Sequence, residues 1–316
     1  MSIPAVIYKY RAFNVWTLEM LVSDVLFFAD PRTFNDPLDT RPTVNADLGV
    51  AELQRVLTTL VGTRLRSEMA AAAKAIKFES RETILGISRQ QARDVLAKIA
   101  YYAQDTDLAY EDSHRSLLGQ HIEEELLRRY DRGIVSLAER PNCPLMWSHY
   151  ADHHKGICVG YAVPSDALPD LHKVDYGGTR LVNASDVAAM LHGNQGARQK
   201  VDDAVLLKKA PAWRYEQEWR MTGQRGLQGS QLELIEVIFG LRCASTQKYI
   251  VARALKDREK SVKFFEMQEV YGTFELQKCE TDASELTALL PRRHRSITEG
   301  FSDIASVLSA GDKMCQ

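Results

Sequence analysis

NCPLMWSHYADHHKGICVGY, residues Asn142–Tyr161, gathers one Trp, two Tyr, three His and two Cys into a single span. It reads as a helix that turns into a strand. Met146, Trp147 and Tyr150 recur at helical spacing and form a packing face. Beyond Gly156, the run Ile157-Cys158-Val159 has the apolar density of a strand inside a sheet. A short helix laid on a sheet is an α+β unit, and the flanking segments decide its kind.

Upstream, Gly133–Leu137 is strand-like. Near the start, Ala5–Tyr8 predicts a first strand, Thr17–Ser23 a short helix, and Val25–Ala29 a second strand closed by Asp30-Pro31. From about Leu48 to Arg132 the composition turns Ala-, Leu-, Arg- and Glu-rich, without Pro. Three helices are expected there, about Val50–Phe78, Arg89–Gln104 and Ser113–Arg132. Glu124 with Arg128, and Glu125 with Arg129, are expected as i, i+4 pairs on a solvated face.

Downstream, strands are expected at His172–Tyr176 and Leu234–Phe239, with an antiparallel pair at Val262–Met267 and Thr273–Gln277. Asp186–Lys209 is helical with a break at His192–Gly196, and Thr246–Arg258 is a helix. This order lacks the strand–helix alternation of a doubly wound parallel sheet. It predicts an α+β fold with a mainly antiparallel sheet, open to being split, and a large helical insertion. Residues 1–47 and 133–280 form the expected core domain, 48–132 the insertion and 281–316 a helical tail with the basic knot Arg292–Arg295.

The 316 residues carry a net charge of −2, which gives no global electrostatic case for DNA or an anionic membrane. The five Cys are scattered without framework spacing, so reduced thiols and a cytoplasmic setting are expected. The N-terminus lacks a signal-peptide pattern, and no apolar run has the length of a membrane span. There is no GxGxxG and no GxxxxGK[ST], so neither a Rossmann site nor a P-loop is supported.

Four stretches could carry chemistry. His149 and His153 stand four apart, as two zinc ligands on a helix would, with Cys143 and Cys158 as candidate partners; the Glu of a metalloprotease helix is missing. The same helix reads otherwise as a packing element, or as a ligand-facing wall with Trp147 or Tyr150 as a stacking face and His149 as a hydrogen-bonding group. In Trp213–Arg220, Glu216 and Glu218 form a Glu-x-Glu pair, and two carboxylates on one face of an extended segment repel unless a cation or polar group separates them. The alternative is an amphipathic stretch with Glu216 paired to Arg220. Arg11, at the end of Tyr8-Lys9-Tyr10-Arg11, suits a bidentate phosphate or carboxylate contact, with Lys9 adding point charge. Phe34-Asn35-Asp36-Pro37-Leu38-Asp39 is a turn, and rigid enough to floor a ligand site. Glu236, before Val-Ile-Phe, reads as a solvent-facing strand residue or a further carboxylate.

Tyr8-Lys9-Tyr10-Arg11, Phe34-Asn35-Asp36-Pro37, Met146-Trp147-x-His149-Tyr150-Ala151 and Trp213-x-x-Glu216-x-Glu218-Trp219-Arg220 together resemble a widespread bacterial domain-of-unknown-function family, over about residues 6–278. That resemblance implies a cytoplasmic bacterial protein and brings no activity. A second resemblance is at fold level only. Many ADP-ribosyltransferases have a split, mostly antiparallel sheet with an Arg or His on the first strand, an aromatic or Ser motif centrally, and a Glu or Glu-x-Glu late. It implies NAD as substrate, an unknown protein or nucleic-acid acceptor, and a toxin or phage-defence role. Glu218 would stabilise positive charge on the ribose and Glu216 would act on the acceptor. Arg11 would hold the pyrophosphate, Tyr150 or Trp147 would stack on nicotinamide, and Asn35 and Asp36 would shape the floor. Tyr8, His149 and Arg220 complete the implied cofactor-binding set. The Ser-Thr-Ser motif is missing, and Glu236 competes with Glu218 for the catalytic place. The rival expectations are a non-catalytic binding or interaction module and a zinc-dependent hydrolase.

Overall fold

The span 142–161 folds as the helix Pro144–Tyr150 followed by the strand Ile157–Ala162. The helix stops because Asp152, His153 and His154 take left-handed φ angles of 46°, 54° and 69°, each costing about 1–2 kcal/mol. Backbone bonds offset that cost: His154 N–H donates to Trp147 O, and Gly156 N–H to Ala151 O at 2.8 Å.

The computed structural model describes residues 3–75, 81–104, 109–130, 132–164 and 170–288. Its strands are β1 (Val6–Arg11), β2 (Val25–Phe28), β3 (Thr43–Asn45), β4 (Gly133–Ala138), β5 (Ile157–Ala162), β6 (Leu171–Lys173), β7 (Leu181–Asn183), β8 (Glu218–Gly223), β9 (Gly226–Gly229), β10 (Glu233–Phe239), β11 (Lys263–Glu269) and β12 (Leu276–Glu280). Its helices are α1 (Val15–Val22), α2 (Val50–Ala75), α3 (Arg81–Tyr102), α4 (Tyr110–Arg129), α5 (Pro144–Tyr150), α6 (Ala184–Leu191), α7 (Gln195–Leu206), α8 (Ser245–Ala254) and α9 (Ala283–Ala288). Short 3₁₀ helices lie at Pro31–Thr33 and Pro211–Glu216.

Eight strands form one sheet in the order β12-β11-β10-β5-β1-β4-β8-β6. All neighbours are antiparallel except β10 and β11. The fold is therefore mixed α+β with a mostly antiparallel sheet and a large helical insertion. Strand β1 pairs with β5 along its whole length, from Val6↔Ala162 to Arg11↔Ile157. With β4 it shares the single register position Tyr8↔Ala138. The reason is that β4 spends its edge elsewhere. Ile134 exchanges both backbone bonds with Ala29, each at 2.9 Å, so the chain leaving β2 holds the edge of β4 just beyond the end of β1. A split opens between β1 and β4.

Gly156 sets the other side of that split. A β-carbon there would lie 2.1 Å from the Arg11 carbonyl oxygen, so only Gly lets β5 start this close to the end of β1.

The apolar side chains sort into three clusters. One covers the sheet face under α1 and α8, including Ile7, Leu137, Trp219 and Phe239. A second lies on the opposite face around Tyr10, Met146 and Trp147. The third is helical. Leu53, Val56, Leu57, Leu60 and Val61 of α2 follow the i, i+3, i+4 stripe, and Leu118, Ile122 and Leu126 of α4 follow i, i+4. A fully buried Leu or Ile contributes about 1.5–3 kcal/mol. Val187, Val201 and Val205 of α6 and α7 join this cluster, so the 48–132 block packs with a segment that sequence reading placed in the core domain.

Other differences have plain causes. Helix α3 begins at Arg81 rather than Arg89. Glu125 is buried and pairs with Arg64 of α2 at 2.7 Å and with Arg128 at 2.8 Å, not with Arg129 on a solvated face. Strands β3 and β7 have three residues each, too few to show a period. Strand β9 reads Gly-Leu-Gln-Gly and exists through its register with β2, Phe27↔Leu227. Of the expected tail, α9 is described; the basic knot Arg292–Arg295 lies outside the described residues. Cys143, Cys158, Cys243 and Cys279 are free thiols, and Cys315 lies outside the described residues. Among the described residues no helix is long and apolar enough to cross a membrane.

Candidate functional site

A cavity of about 370 Å³ fills the split. Because it opens between strands, Tyr8, Lys9, Tyr10 and Arg11 of β1 all border it, facing Ser136, Leu137 and Ala138 of β4. Asn35 and Asp39 approach from the loop after β2, Tyr150 from α5, and Lys209, Glu216 and Glu218 from the far side.

The Glu-x-Glu pair turns a corner. Glu216 ends a 3₁₀ helix that Pro211 opens, Gln217 takes the left-handed conformation (φ 45°, ψ 52°), and Glu218 begins β8. The two carboxylates meet at Lys209, whose Nζ lies 2.5 Å from Glu216 Oε2 and 2.9 Å from Glu218 Oε2. It also lies 3.4 Å from Asp39 Oδ2. Arg220 completes the group. Its Nε donates to Glu218 Oε1 at 2.9 Å, its Nη2 to both Asp39 oxygens at 2.7–2.8 Å, and its Nη1 to Leu206 O at 2.7 Å. The Phe34 ring lies 5.6 Å from its guanidinium carbon. Three buried carboxylates thus share two buried cations, whose hydrogen bonds offset part of the cost of burying the charges.

These neighbours set the ionisation. Burial alone would raise the Glu218 pKa, but Arg220 and Lys209 overcome it and hold it at about 2. Glu216 goes the other way: burial outweighs Lys209 and the Tyr150 hydrogen bond, and its pKa rises. Burial works against the charge on Lys209, yet Glu218, Glu216 and Asp39 raise its pKa overall. For Lys9 the more distant carboxylates Glu218 and Glu216 do not make up for burial. Its Nζ donates to the Ser136 carbonyl at 2.6 Å, and burial, with Arg11 beside it, pushes its pKa down to about 7.

Tyr150 closes one wall. Its hydroxyl donates to Glu216 Oε1 at 2.7 Å and accepts from Asn35 Nδ2 at 3.3 Å. A family model described as "Protein of unknown function (DUF2971)" matches residues 146–221. The chain is similar to that family there. The matched stretch runs from Met146 on α5 to Met221 on β8, so its two ends supply Tyr150 and Glu216, and it covers part of the expected 6–278. Comparison with curated proteins and with solved structures gives no match.

Arg11 is the unusual member. Its one hydrogen bond is a long contact to Met20 Sδ at 3.9 Å, and its buried Nε has none. Burial lowers its pKa. A thioether is a poor acceptor for a guanidinium, and among the described residues no carboxylate pairs with Arg11. An anion entering the split would meet an unpaired cation.

The other residues singled out from sequence fall in three places. Tyr8, Asn35, Tyr150, Glu216 and Glu218 border the cavity with Arg11. Arg220 and Asp36 support it: Arg220 is wholly buried beneath, and Asp36 Oδ2 accepts from Trp213 Nε1 at 2.8 Å, pinning the loop. Trp147 and His149 do not border it. Trp147 is wholly buried, with Nε1 on Pro141 O at 2.7 Å and its ring edge-on to Tyr10; it offers no face to a ligand. His149 is exposed and sits against the rings of Trp213 and Tyr215.

The zinc reading loses its geometry, since α5 ends at Tyr150 and His153 lies in the left-handed turn, off any helix face shared with His149. Cys158 is buried in β5. Among the described residues no three His, Cys, Asp or Glu side chains gather as metal ligands would. Glu236 is buried rather than solvent-facing. It pairs with Lys278 at 2.8 Å and packs on Gly160, where a β-carbon would come within 2.5 Å of it. Lys209 and Asp39 went unremarked as site residues. The signal for Lys209 is that two carboxylates brought together require a cation; Asp39 ends the quoted turn, and its signal is the need of Arg220 for a further carboxylate.

Proposed function

We propose that the split between β1 and β4 is the binding and reaction site for NAD, in an ADP-ribosyltransferase-like enzyme. The observation that carries this reading is the opposition, across one cavity, of an unpaired buried guanidinium, Arg11, and a hydrogen-bonded carboxylate, Glu216. Arg11 fits a phosphate oxygen, since its orphaned Nε needs an acceptor the chain does not provide. The cavity is toward the lower end of the sizes usual for small-molecule sites, so it takes one half of a dinucleotide, with the rest lying toward the Asn35 rim.

NAD supplies a ribose–nicotinamide bond whose cleavage builds positive charge on the ribose. In this reading Glu216 is the carboxylate that meets that charge. Glu218 is clamped by Arg220 as well as Lys209, whereas Glu216 is held by Tyr150 and Lys209 without Arg220, so Glu218 serves by holding Lys209 under Glu216. Tyr150 orients Glu216 and offers its ring to the ligand, and Arg11 with Lys9 holds the anionic end. A toxin or phage-defence role, a cytoplasmic bacterial setting and a protein or nucleic-acid acceptor follow from the resemblance alone.

One observation favours a second reading. Lys209 neutralises both members of the Glu-x-Glu pair, as a non-catalytic binding module requires. Nicotinamide release separates the two. The enzyme reading expects the purified chain to release nicotinamide from NAD, and Glu216→Gln to lose about 10²–10⁴-fold. An intact fold that binds NAD without cleaving it supports the module. An intact fold that does neither ends the NAD reading.

A further inference from the structure

We infer that Lys9 is an imine-forming amine, placed to capture a small aldehyde or ketone that carries a phosphate. The inference shares Arg11 as an anion site with the preceding reading but not its chemistry.

Four observations carry it. Lys9 borders the cavity in the split. Its Nζ makes one hydrogen bond, to the neutral carbonyl of Ser136, and no carboxylate pairs with it among the described residues. Arg11 stands two residues on along β1, hence on the same strand face, and lacks an anion. Glu216 and the Tyr150 hydroxyl border the same cavity. Lys209, the other lysine there, is tied to Glu216, Glu218 and Asp39, so its lone pair is taken up by a proton.

The charged groups around Lys9 explain its readiness. Arg11 on its own strand and Lys209 from the segment after α7 disfavour a charged Lys9, while Glu218 of β8 and Glu216 of the 3₁₀ helix favour one. Burial decides between them, and the pKa falls to about 7. A neutral amine near neutral pH is the nucleophile such chemistry needs.

The step balances within the protein, its ligand and solvent. The Nζ lone pair attacks the carbonyl carbon, and the C=O π pair moves to oxygen, which takes one of the two amine protons to give a carbinolamine. Solvent delivers a proton to the hydroxyl, since both Glu216 oxygens already accept, from Tyr150 and Lys209. The C–O bond breaks, water leaves, the nitrogen returns its remaining proton to solvent, and a C=N bond remains. Hydrolysis runs the same steps backward.

Pyridoxal 5′-phosphate, followed by borohydride reduction and peptide mass mapping on the full chain, tests this. The expected result is a reduced adduct concentrated at Lys9, suppressed by inorganic phosphate. Unphosphorylated pyridoxal, and the phosphate form with Arg11→Met, should label Lys9 about tenfold less or lower, the loss of one charged contact. Labelling confined to exposed lysines overturns the inference. So does equal labelling of Lys9 by pyridoxal and its phosphate. The readout needs no NAD, so its failure and a failure of nicotinamide release are separate results.

Discussion

Tyr150 on α5 and Glu216 at the end of the 3₁₀ helix, 66 residues apart in the chain, share a 2.7 Å hydrogen bond. It joins the wall that begins in Asn142–Tyr161 to the wall built by the Glu-x-Glu segment. Removing it should be felt in both stability and ionisation. Tyr150→Phe should cost about 1.5–3 kcal/mol, as expected for a hydrogen bond to a charged acceptor. It should also raise the Glu216 pKa further, because the lost bond favoured the ionised form. Denaturant midpoints and a carboxylate NMR titration measure the two effects.

Arg220→Met should be the most damaging charge substitution. It leaves Asp39 and Glu218 buried with Lys209 as their one cation, at a cost of about 3–5 kcal/mol. The pH dependence has a definite sign. Glu218 is held at about 2 against an ordinary value of 4.5, so its stabilising contribution, ~3 kcal/mol, is complete above about 4.5 and lost as pH falls toward 2. In the variant that acid-side loss should shrink, so the gap between the two proteins narrows as pH falls. Chemical denaturation at several pH values gives the comparison.

Lys9 produces a slope on the alkaline side. Its pKa is about 7 when folded against 10.5 ordinarily. Between those values the unfolded chain binds a proton that the folded chain does not, so stability should rise with pH across that window. Below about 7 both states are protonated and the slope vanishes. Lys9→Met should flatten the rise, which stability curves between pH 6 and 10 measure.

Gly156→Ala tests the geometry of the split without touching a charge. The added β-carbon would lie 2.1 Å from the Arg11 carbonyl, a backbone atom with no room to yield. Loss of at least about 1–3 kcal/mol is expected, with Arg11 displaced. Thermal unfolding reads the first and phosphate titration the second.

Much of this fold is written in local pattern. The i, i+4 stripes of α2 and α4 and the apolar runs of β5 and β10 announce themselves, because burial on one face imposes a period. Strands β3, β7 and β9 do not, since three or four residues show no period and their pairing partners supply the reason for their existence. The site was half legible. Arg11, Tyr150 and Glu216 stand in motifs whose chemistry can be read directly. That Trp147 would be buried under Tyr10, or that Lys209 would bridge two carboxylates, depends on how distant segments pack. The split itself has no local signature; it arises because Ala29 takes the edge of β4 at Ile134.

A crystal structure of the chain with NAD bound tests the central claim most directly. The account expects a phosphate oxygen within hydrogen-bond distance of the Arg11 guanidinium and the ribose facing Glu216, with Glu218 still held by Arg220 and Lys209. NAD bound elsewhere, or an Arg11 that still faces Met20 with NAD in the split, would contradict it.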